Sequence, residues 1–252
     1  MKKLAIIAAA AAFLGLAQAP EVRAQEELPS HDWSFSGIFG TFDRAKQQRG
    51  FQVYREVCSA CHSLRQVAFR NLSDLGYNED EIRAIAASYQ VEDGPDDNGD
   101  MFVRDGIPSD RFPPPFPNEN AARAANGGAL PVDLSLVAKS RMGGPDYIYH
   151  LLTGYQDPPP DVEMMEGMYY NAYFPGHQIA MAPPLMDGVV TYADGTPATL
   201  HQLAEDVTYF LTWAAEPNLE ARKRMGMKVI LFLLIFTGLL YAVKRKVWAI
   251  LH

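Results

Sequence analysis

Cysteine is nearly absent from this chain of 252 residues, which has only two, Cys58 and Cys61, three positions apart. Two cysteines so close together cannot supply the framework of disulfides that stabilises many small exported domains. The sequence also contains no internal repeat and no low-complexity array. These absences exclude a disulfide scaffold and a repeat architecture, and they leave the cysteine pair as a candidate chemical motif.

Basic residues are scarce between residues 25 and 219, where 28 Asp or Glu residues accompany only 12 Lys or Arg residues. The net charge of this region is therefore −16, whereas that of the whole chain is −8. An acidic domain of this kind is not expected to bind nucleic acid. Its charge favours either simple solvation or a basic protein partner.

Long hydrophobic runs occur only near the two ends of the chain. Residues 1–24 begin with two lysines, continue with a largely apolar run from Leu4 to Leu16 and reach small-residue sites, which is typical of a secretory signal peptide cleaved after Ala24. A retained anchor is the alternative, but this run is short for a hydrocarbon core. We therefore expect the domain at 25–219 to be exported.

The second run, from 229 to 243, has no charged residue and contains eleven Leu, Ile, Phe or Val residues. At roughly 0.3 to 0.6 kcal/mol each, these favour membrane insertion by about 3 to 7 kcal/mol. We interpret the run as a transmembrane anchor that follows a basic linker at 220–228; a buried core helix is the alternative. Export of the N-terminal side would place the domain in the periplasm at a bacterial inner membrane, and the tail, 244–252, in the cytoplasm.

The two cysteines belong to the motif Cys58-Ser59-Ala60-Cys61-His62, which has the spacing of a c-type haem attachment site. One helical turn places both sulfurs against one haem edge, and His62 then faces the iron. A thiol–disulfide oxidoreductase would need a βαβ context, and a structural zinc site would need two further ligands. We predict one covalent haem c, attached through Cys58 and Cys61, with His62 as an axial ligand.

The sixth ligand of the iron decides between an electron carrier and an open, reactive haem. Ten methionines and five other histidines are candidates. Met181 is the first choice, because two prolines that follow it stiffen its loop; His177 and Met186 come next. We interpret His150 as a packed side chain of a helix rather than a ligand.

The spacing of apolar residues predicts helices at 43–57, which ends at the haem motif, at 79–90, around 144–152 and at 199–215. The last has the one-face pattern of an amphipathic helix, with a capping box formed by Thr199 and Gln202. Much of the remaining chain is rich in proline and turn residues, which predicts long loops. The expected fold class is mainly α, with long proline-rich loops and one C-terminal transmembrane helix.

Longer blocks of sequence occur in order between Phe35 and Trp248: RGFQVY at 49–54, CSACH at 58–62, AARAANGGALP at 121–131, LLTGY at 151–155, YYN at 169–171, MAPP at 181–184, DGTPAT at 194–199 and WAAEP at 213–217. With these blocks the chain resembles the cytochrome c1 family, the haem subunit of the cytochrome bc1 complex (ubiquinol:cytochrome c oxidoreductase). The resemblance covers nearly the whole mature chain. The chain lacks an additional cysteine pair that some bacterial members of the family have.

The resemblance implies a class I cytochrome c-like haem domain in which Met181 is the sixth ligand. It also implies that Arg141, Tyr147 and Asn126 lie near the haem propionates. Tyr54 is expected to pack against the wall of the haem pocket, although a core aromatic residue would show the same pattern.

The function that the resemblance implies is electron transfer by a redox subunit that is not catalytic by itself. The donor would be the Rieske iron–sulfur protein, in one membrane complex with cytochrome b, and the acceptor a soluble basic cytochrome c. An iron held by imidazole and thioether has no open position for oxygen or peroxide. The alternatives are a stand-alone membrane-tethered c-type cytochrome and a haem peroxidase or sensor.

A cluster of carboxylates is a candidate docking site for a basic cytochrome. Five lie within residues 92–100 and two follow in a later loop: Glu92, Asp93, Asp96, Asp97, Asp100, Glu163 and Glu166. Complementary charge would act mainly on the association rate and would be screened by salt. An ordinary solvated loop is the alternative interpretation.

Overall fold

The computed structural model describes residues 28–249, and within them the fold is mainly helical, as the sequence predicts. The predicted signal peptide and the last three residues of the tail lie outside the described residues. The α-helices are α1 Arg44–Glu56, α2 Glu79–Ala87, α3 Glu119–Ala125, α4 Val137–Ser140, α5 Pro145–Thr153, α6 Leu200–Ala215 and α7 Leu219–Trp248. Two short 3-10 helices occupy Cys58–Ala60 and Phe69–Leu75.

Two small antiparallel hairpins, which the sequence analysis did not predict, complete the fold. In the first, β1 (Gln90–Asp93) pairs with β2 (Phe102–Asp105), and Gln90 lies opposite Asp105. In the second, β3 (Tyr169–Tyr170) pairs with β4 (Gln178–Ile179). The predicted helix 79–90 therefore ends early, because the chain turns at Ser88 and enters β1. The acidic stretch becomes the turn of a hairpin.

Helix α1 carries the cysteine motif at its end, and its packing determines where that motif lies. Asp43 caps the helix by accepting hydrogen bonds from the backbone N–H groups of Ala45 and Lys46. The helix packs against α6 at Gly50, where a Cβ atom would lie only 1.9 Å from the backbone oxygen of Asp206. Only glycine allows the two backbones to approach so closely.

Helix α6 is the central element, since α1, α4 and α5 all pack against it. Every residue from 203 to 215 except Glu205 is buried, so the one-sided pattern predicted for this helix is wrong beyond its first turn. The hydroxyl groups of Thr208 and Thr212 donate to backbone oxygens one turn earlier. Asp206 accepts two hydrogen bonds from the guanidinium of Arg49, at 2.8 and 3.0 Å. These contacts satisfy the polar groups that the periodicity alone would place at the surface.

Helix α7 is continuous from Leu219 to Trp248, so the predicted basic linker is itself helical. It is the one helix within residues 28–249 that is long and apolar enough to cross a membrane, with a mean hydropathy of 2.2 in its most apolar window. None of that window is buried against the rest of the chain. An apolar helix with no protein around it fits a membrane anchor and not the core helix that was the alternative.

Candidate functional site

His62 lies just after the 3-10 turn that begins at Cys58, and its ring is fixed by a backbone contact from a distant segment. Its Nδ1 atom lies 2.7 Å from the carbonyl oxygen of Val132. Because a carbonyl oxygen can only accept, Nδ1 carries the proton and the lone pair of Nε2 remains for a metal. Burial lowers the pKa of His62, which favours the neutral imidazole that a metal needs.

Asp133 joins the segment after His62 to the segment that holds its ring. Its carboxylate accepts hydrogen bonds from the hydroxyl of Ser63 at 2.7 Å and from the backbone N–H groups of Arg65 at 3.0 Å and Ser135 at 2.9 Å. These hydrogen bonds outweigh its partial burial and lower its pKa. The clamp holds Val132, the neighbour of Asp133, in place against His62.

The cysteines are free thiols in a setting that does not suit thiol–disulfide exchange. Burial raises the pKa of the Cys58 thiol well above its ordinary value, whereas a redox-active cysteine needs a lowered pKa. Within residues 28–249 no group of three or more His, Cys, Asp or Glu side chains is arranged to hold a metal ion, so a structural zinc site has no further ligands there. A c-type haem requires two thiols that attach the porphyrin covalently and an imidazole that can bind the iron, and the five residues from Cys58 to His62 contain all three.

Met181 lies in a loop whose backbone is held by a single tyrosine. The hydroxyl of Tyr155 donates to the carbonyl oxygen of Met181 at 3.0 Å. Met181 is half-buried, whereas the next two residues, Ala182 and Pro183, are exposed. This mirrors the histidine side, where the hydroxyl of Tyr54 donates to the carbonyl oxygen of His62 at 3.2 Å.

The competing sixth ligands are less suitably placed. Met186 is 63% exposed, and the ring of His177 stacks on Tyr170 while its Nδ1 lies 3.2 Å from a backbone oxygen. His150 is a packed side chain, as predicted: its Nε2 lies 2.8 Å from the carbonyl oxygen of Pro29 and its ring packs against Tyr173. Among these candidates, Met181 keeps the strongest case as a ligand.

The segments of both ligands belong to one hydrophobic core. Leu64, Leu134 and Leu185, which follow His62, Val132 and Met181 by a few residues, lie in the same buried cluster, and Cys58 packs against it. A cavity of about 680 Å³ borders the loop of Met181 along Tyr155 and Pro183. Cys61 borders a smaller, separate cavity together with Leu130 and Pro131. Neither cavity is lined by His62 or Met181 themselves.

The residues expected near the propionates are spread over three elements. Tyr147, on α5, is buried, and burial raises its pKa while the charge of exposed Arg141 opposes that rise. Asn126, at the end of α3, donates to the backbone oxygen of Ala122 at 2.7 Å, and Ala122 borders the small cavity beside Cys61. For Asn126 the structure thus shows a helix-capping contact.

The acidic stretch comprises the end of β1, at Glu92 and Asp93, and the exposed turn between β1 and β2, and two of its five carboxylates have structural partners. Asp93 accepts from Arg104 at 2.5 Å, and this hydrogen bond lowers the pKa of Asp93. Asp96 accepts from the backbone N–H groups of Asn98 and Asp100. Glu92, Asp97 and Asp100 are exposed, as are Glu163 and Glu166 in their own loop.

Three residues that matter here were not predicted as site residues: Val132, Asp133 and Tyr155. Val132 acts through its main chain, which leaves no side-chain signal in a sequence. Asp133 and Tyr155 lie far along the chain from the groups they hold. Asp133 lies two residues after the matching block at 121–131, and Tyr155 lies within the block at 151–155, which is the signal that the sequence offers.

A helical domain with this attachment motif and, within residues 28–249, one apolar helix long enough to cross a membrane has the features of the membrane-anchored c-type cytochromes. Residues 33–251 match the family described as the Cytochrome C1 family, and the chain belongs to this family. Membership confirms the resemblance and implies a c-type haem and a role in electron transfer.

Similar proteins come from bacteria and mitochondria. Cytochrome c1 of Rhodospirillum rubrum is 52% identical over 250 residues, which cover 93% of this chain and 91% of that protein. The mitochondrial cytochrome c1 heme protein of Schizosaccharomyces pombe is 55% identical over 218 residues, 86% of this chain and 71% of that protein. Cytochrome b/c1 of Bradyrhizobium diazoefficiens is 51% identical over 274 residues, and there the chain covers 99% of its own length but only 40% of the relative.

Proposed function

We propose that this chain is the haem-bearing electron-transfer subunit of a cytochrome bc1 complex, which takes electrons from the Rieske iron–sulfur protein and passes them to a soluble cytochrome c. Family membership supports the complex, and the name cytochrome b/c1 of one relative supports cytochrome b as a partner. The apolar helix α7 supports membrane attachment. After removal of residues 1–24, the haem domain, 25–219, would lie in the periplasm. The anchor, 229–243, would cross the membrane, and the tail, 244–252, would lie in the cytoplasm.

The observation that carries the proposal is the fixed orientation of His62 by the carbonyl oxygen of Val132. A haem c bound through Cys58 and Cys61 would supply one-electron redox chemistry. His62 would offer Nε2 to the iron, and Met181 would offer its thioether as the second ligand. Rigid ligands reduce the rearrangement that accompanies each change of charge, which suits outer-sphere electron transfer. Arg141, Tyr147 and Asn126 would lie toward the propionates.

The test of the ligand pair is the visible spectrum of the full-length protein, oxidised and reduced, in membrane extracts. A c-type reduced spectrum with the weak far-red band of methionine bound to ferric haem is expected. The variant Met181→Leu should lose that band and bind carbon monoxide. The matched control is Met186→Leu, in an exposed methionine five residues away, which should leave the spectrum unchanged.

An open iron in the unaltered protein, seen as a high-spin spectrum that shifts with carbon monoxide, would contradict the proposal. It would favour a haem peroxidase or sensor. Loss of the far-red band in Met186→Leu but not in Met181→Leu would show that Met186 is the ligand. The assignment of Met181 would then be wrong, but the protein would still be an electron carrier.

The acidic turn between β1 and β2 is proposed as the docking site for the basic acceptor. Since Asp93 and Asp96 hold the turn together, the carboxylates to neutralise are Glu92, Asp97 and Asp100. Replacing these three by Gln or Asn should reduce the rate of cytochrome c reduction at low salt severalfold and flatten its salt dependence, with little effect at high salt. Stopped-flow kinetics over a range of ionic strength measures this.

The control for the docking test is a pair of equally exposed carboxylates on α2, Glu79 and Asp80. Their amide variants remove charge from another surface and should change the salt dependence less. Equal effects per charge removed, three in the turn and two on α2, would mean that only the net charge of the domain matters. If the turn variant leaves the salt dependence unchanged, the turn is not the docking site. Glu163 and Glu166 would then be the next carboxylates to neutralise.

A further inference from the structure

The loop from Ser34 to Thr41, here called the tip loop, is a closed and ordered structure. The backbone N–H of Thr41 donates to the carbonyl oxygen of Ser34 at 3.0 Å, and the hydroxyl of Ser34 donates back to the carbonyl oxygen of Thr41 at 2.8 Å. The turn within it needs Gly40, where a Cβ atom would lie 1.9 Å from the backbone oxygen of Ser36. The ends of the loop are therefore joined and its shape is set.

The base of the tip loop is anchored in the aromatic core. Trp33, Phe35 and Phe42 are buried, and the ring of Phe35 lies 5.1 Å from that of Tyr209 on α6. Two apolar residues at the tip behave differently: Ile38 is 67% exposed and Phe39 is 79% exposed. A rigid loop that presents two large apolar side chains to its surroundings suggests a partner for them.

The tip loop is tied to the first turns of α7. The Nζ atom of Lys223 donates to the carbonyl oxygens of Phe35 and Gly40, the second at 3.3 Å. The carboxylate of Glu220 accepts from the backbone N–H of Phe42 at 2.9 Å. Since Gly40 directly follows Ile38 and Phe39, the tip lies at the level of Lys223 along the helix.

That level coincides with the surface of a bilayer that α7 would cross. A hydrocarbon core of about 30 Å needs about 20 helical residues, which extends the uncharged run 229–243 to roughly 226–246. Lys223 then lies about 4 to 5 Å outside the core, within the headgroup layer. Arg44, which pairs with Glu220, and Arg224 are exposed near the start of α7, where anionic headgroups would lie.

We propose that the tip loop is a second membrane contact of this chain, with Ile38 and Phe39 inserted between the lipid headgroups beside α7. Helix α7 alone would leave the domain free to tilt about one attachment point. A second contact restricts that tilt and so holds the haem domain at one height above the membrane. The inference rests on the proposed membrane span, and its test distinguishes the failure of the two.

The test uses the full-length, haem-loaded chain in vesicles of phosphatidylcholine and phosphatidylglycerol, with one nitroxide label per variant. Cys58 and Cys61 are consumed by haem attachment, so an introduced cysteine is the reactive thiol. Labels are placed at Phe39→Cys, at Leu234→Cys within α7, and at Val103→Cys, a comparably exposed apolar residue of β2. Each label collides with oxygen, which enters lipid, and with a nickel chelate, which stays in water. The ratio of the two collision rates reports the depth of the label in the bilayer.

The ratio at position 39 should be severalfold higher than at 103 and lower than at 234. An Ile38→Cys label should agree with it. If position 39 matches 103 while 234 lies deep, the span stands and the tip-loop contact is overturned. Protection of position 39 from both reagents would mean that protein and not lipid covers the tip, which also overturns the proposal. A water-exposed label at 234 would overturn the span and the inference with it.

Discussion

The two segments that carry the proposed iron ligands, His62 and Met181, are held to the domain in different ways. On the histidine side, the ring of His62 is held by Val132, and the adjoining backbone is clamped by Asp133. The residue two positions on, Leu64, is completely buried. On the methionine side, the backbone of Met181 is held by Tyr155, and the residues that follow are largely exposed.

This difference indicates that His62 is held by the core of the domain, whereas the position of Met181 depends on a loop. The histidine segment shares its stability with α1 and α6, so it should be lost only when the domain unfolds. The methionine loop is the candidate for local opening, because Ala182 and Pro183 are exposed and the side-chain contact to the backbone of Met181 is the hydroxyl of Tyr155. Ligand loss in this protein is therefore expected to begin at Met181.

The largest effect is expected from Gly50→Ala, which forces α1 away from α6. The added Cβ would lie 1.9 Å from the backbone oxygen of Asp206, so the helices must separate. We expect the free energy of unfolding to fall by about 3 kcal/mol or more, as for severe overpacking. Denaturant titration of the full-length protein in detergent measures this, and Gly226→Ala, at a helical glycine with open space, is the control. A stable variant with full haem content would show that the position of α1 is not critical.

A smaller effect is expected from Asp133→Ala, which removes the clamp on the histidine side. Loss of three hydrogen bonds to a charged acceptor should lower the free energy of unfolding by about 2 to 3 kcal/mol, because water replaces part of the interaction. The midpoint of denaturant unfolding, compared with that of Asp157→Ala in an exposed loop, measures it. If both variants cost the same, the histidine side is not clamped as described.

The smallest effect, and the most specific, is expected from comparing Tyr155→Phe with Tyr54→Phe. Each change removes one hydroxyl that donates to the carbonyl oxygen of a ligand residue and should cost about 1 kcal/mol. Only Tyr155→Phe should weaken the far-red band and increase carbon monoxide binding, because Met181 has fewer other restraints. Equal spectra for the two variants would mean that the ligand segments are equally rigid.

Local patterns in the sequence predicted the parts of the fold that local physics controls. The helix from 43 to 57 was confirmed because its cap and its apolar face lie within one segment. Helix α7 was recognised from its composition alone. The hairpin at Gln90–Asp105 was missed, because its pairing joins residues nine to fifteen positions apart. The full burial of α6 was missed because it depends on neighbours packing on every side.

For this protein, the sequence by itself determined the attachment motif, the anchor and the family, since each is written in adjacent residues or in long matching blocks. The tertiary structure decided how the site is held: that Val132 orients His62, that Asp133 locks the two segments together, and that Tyr155 supports Met181. It also brought the tip loop to the base of α7. These contacts join residues distant in the chain, and backbone carbonyl groups make several of them, so no local pattern could reveal them.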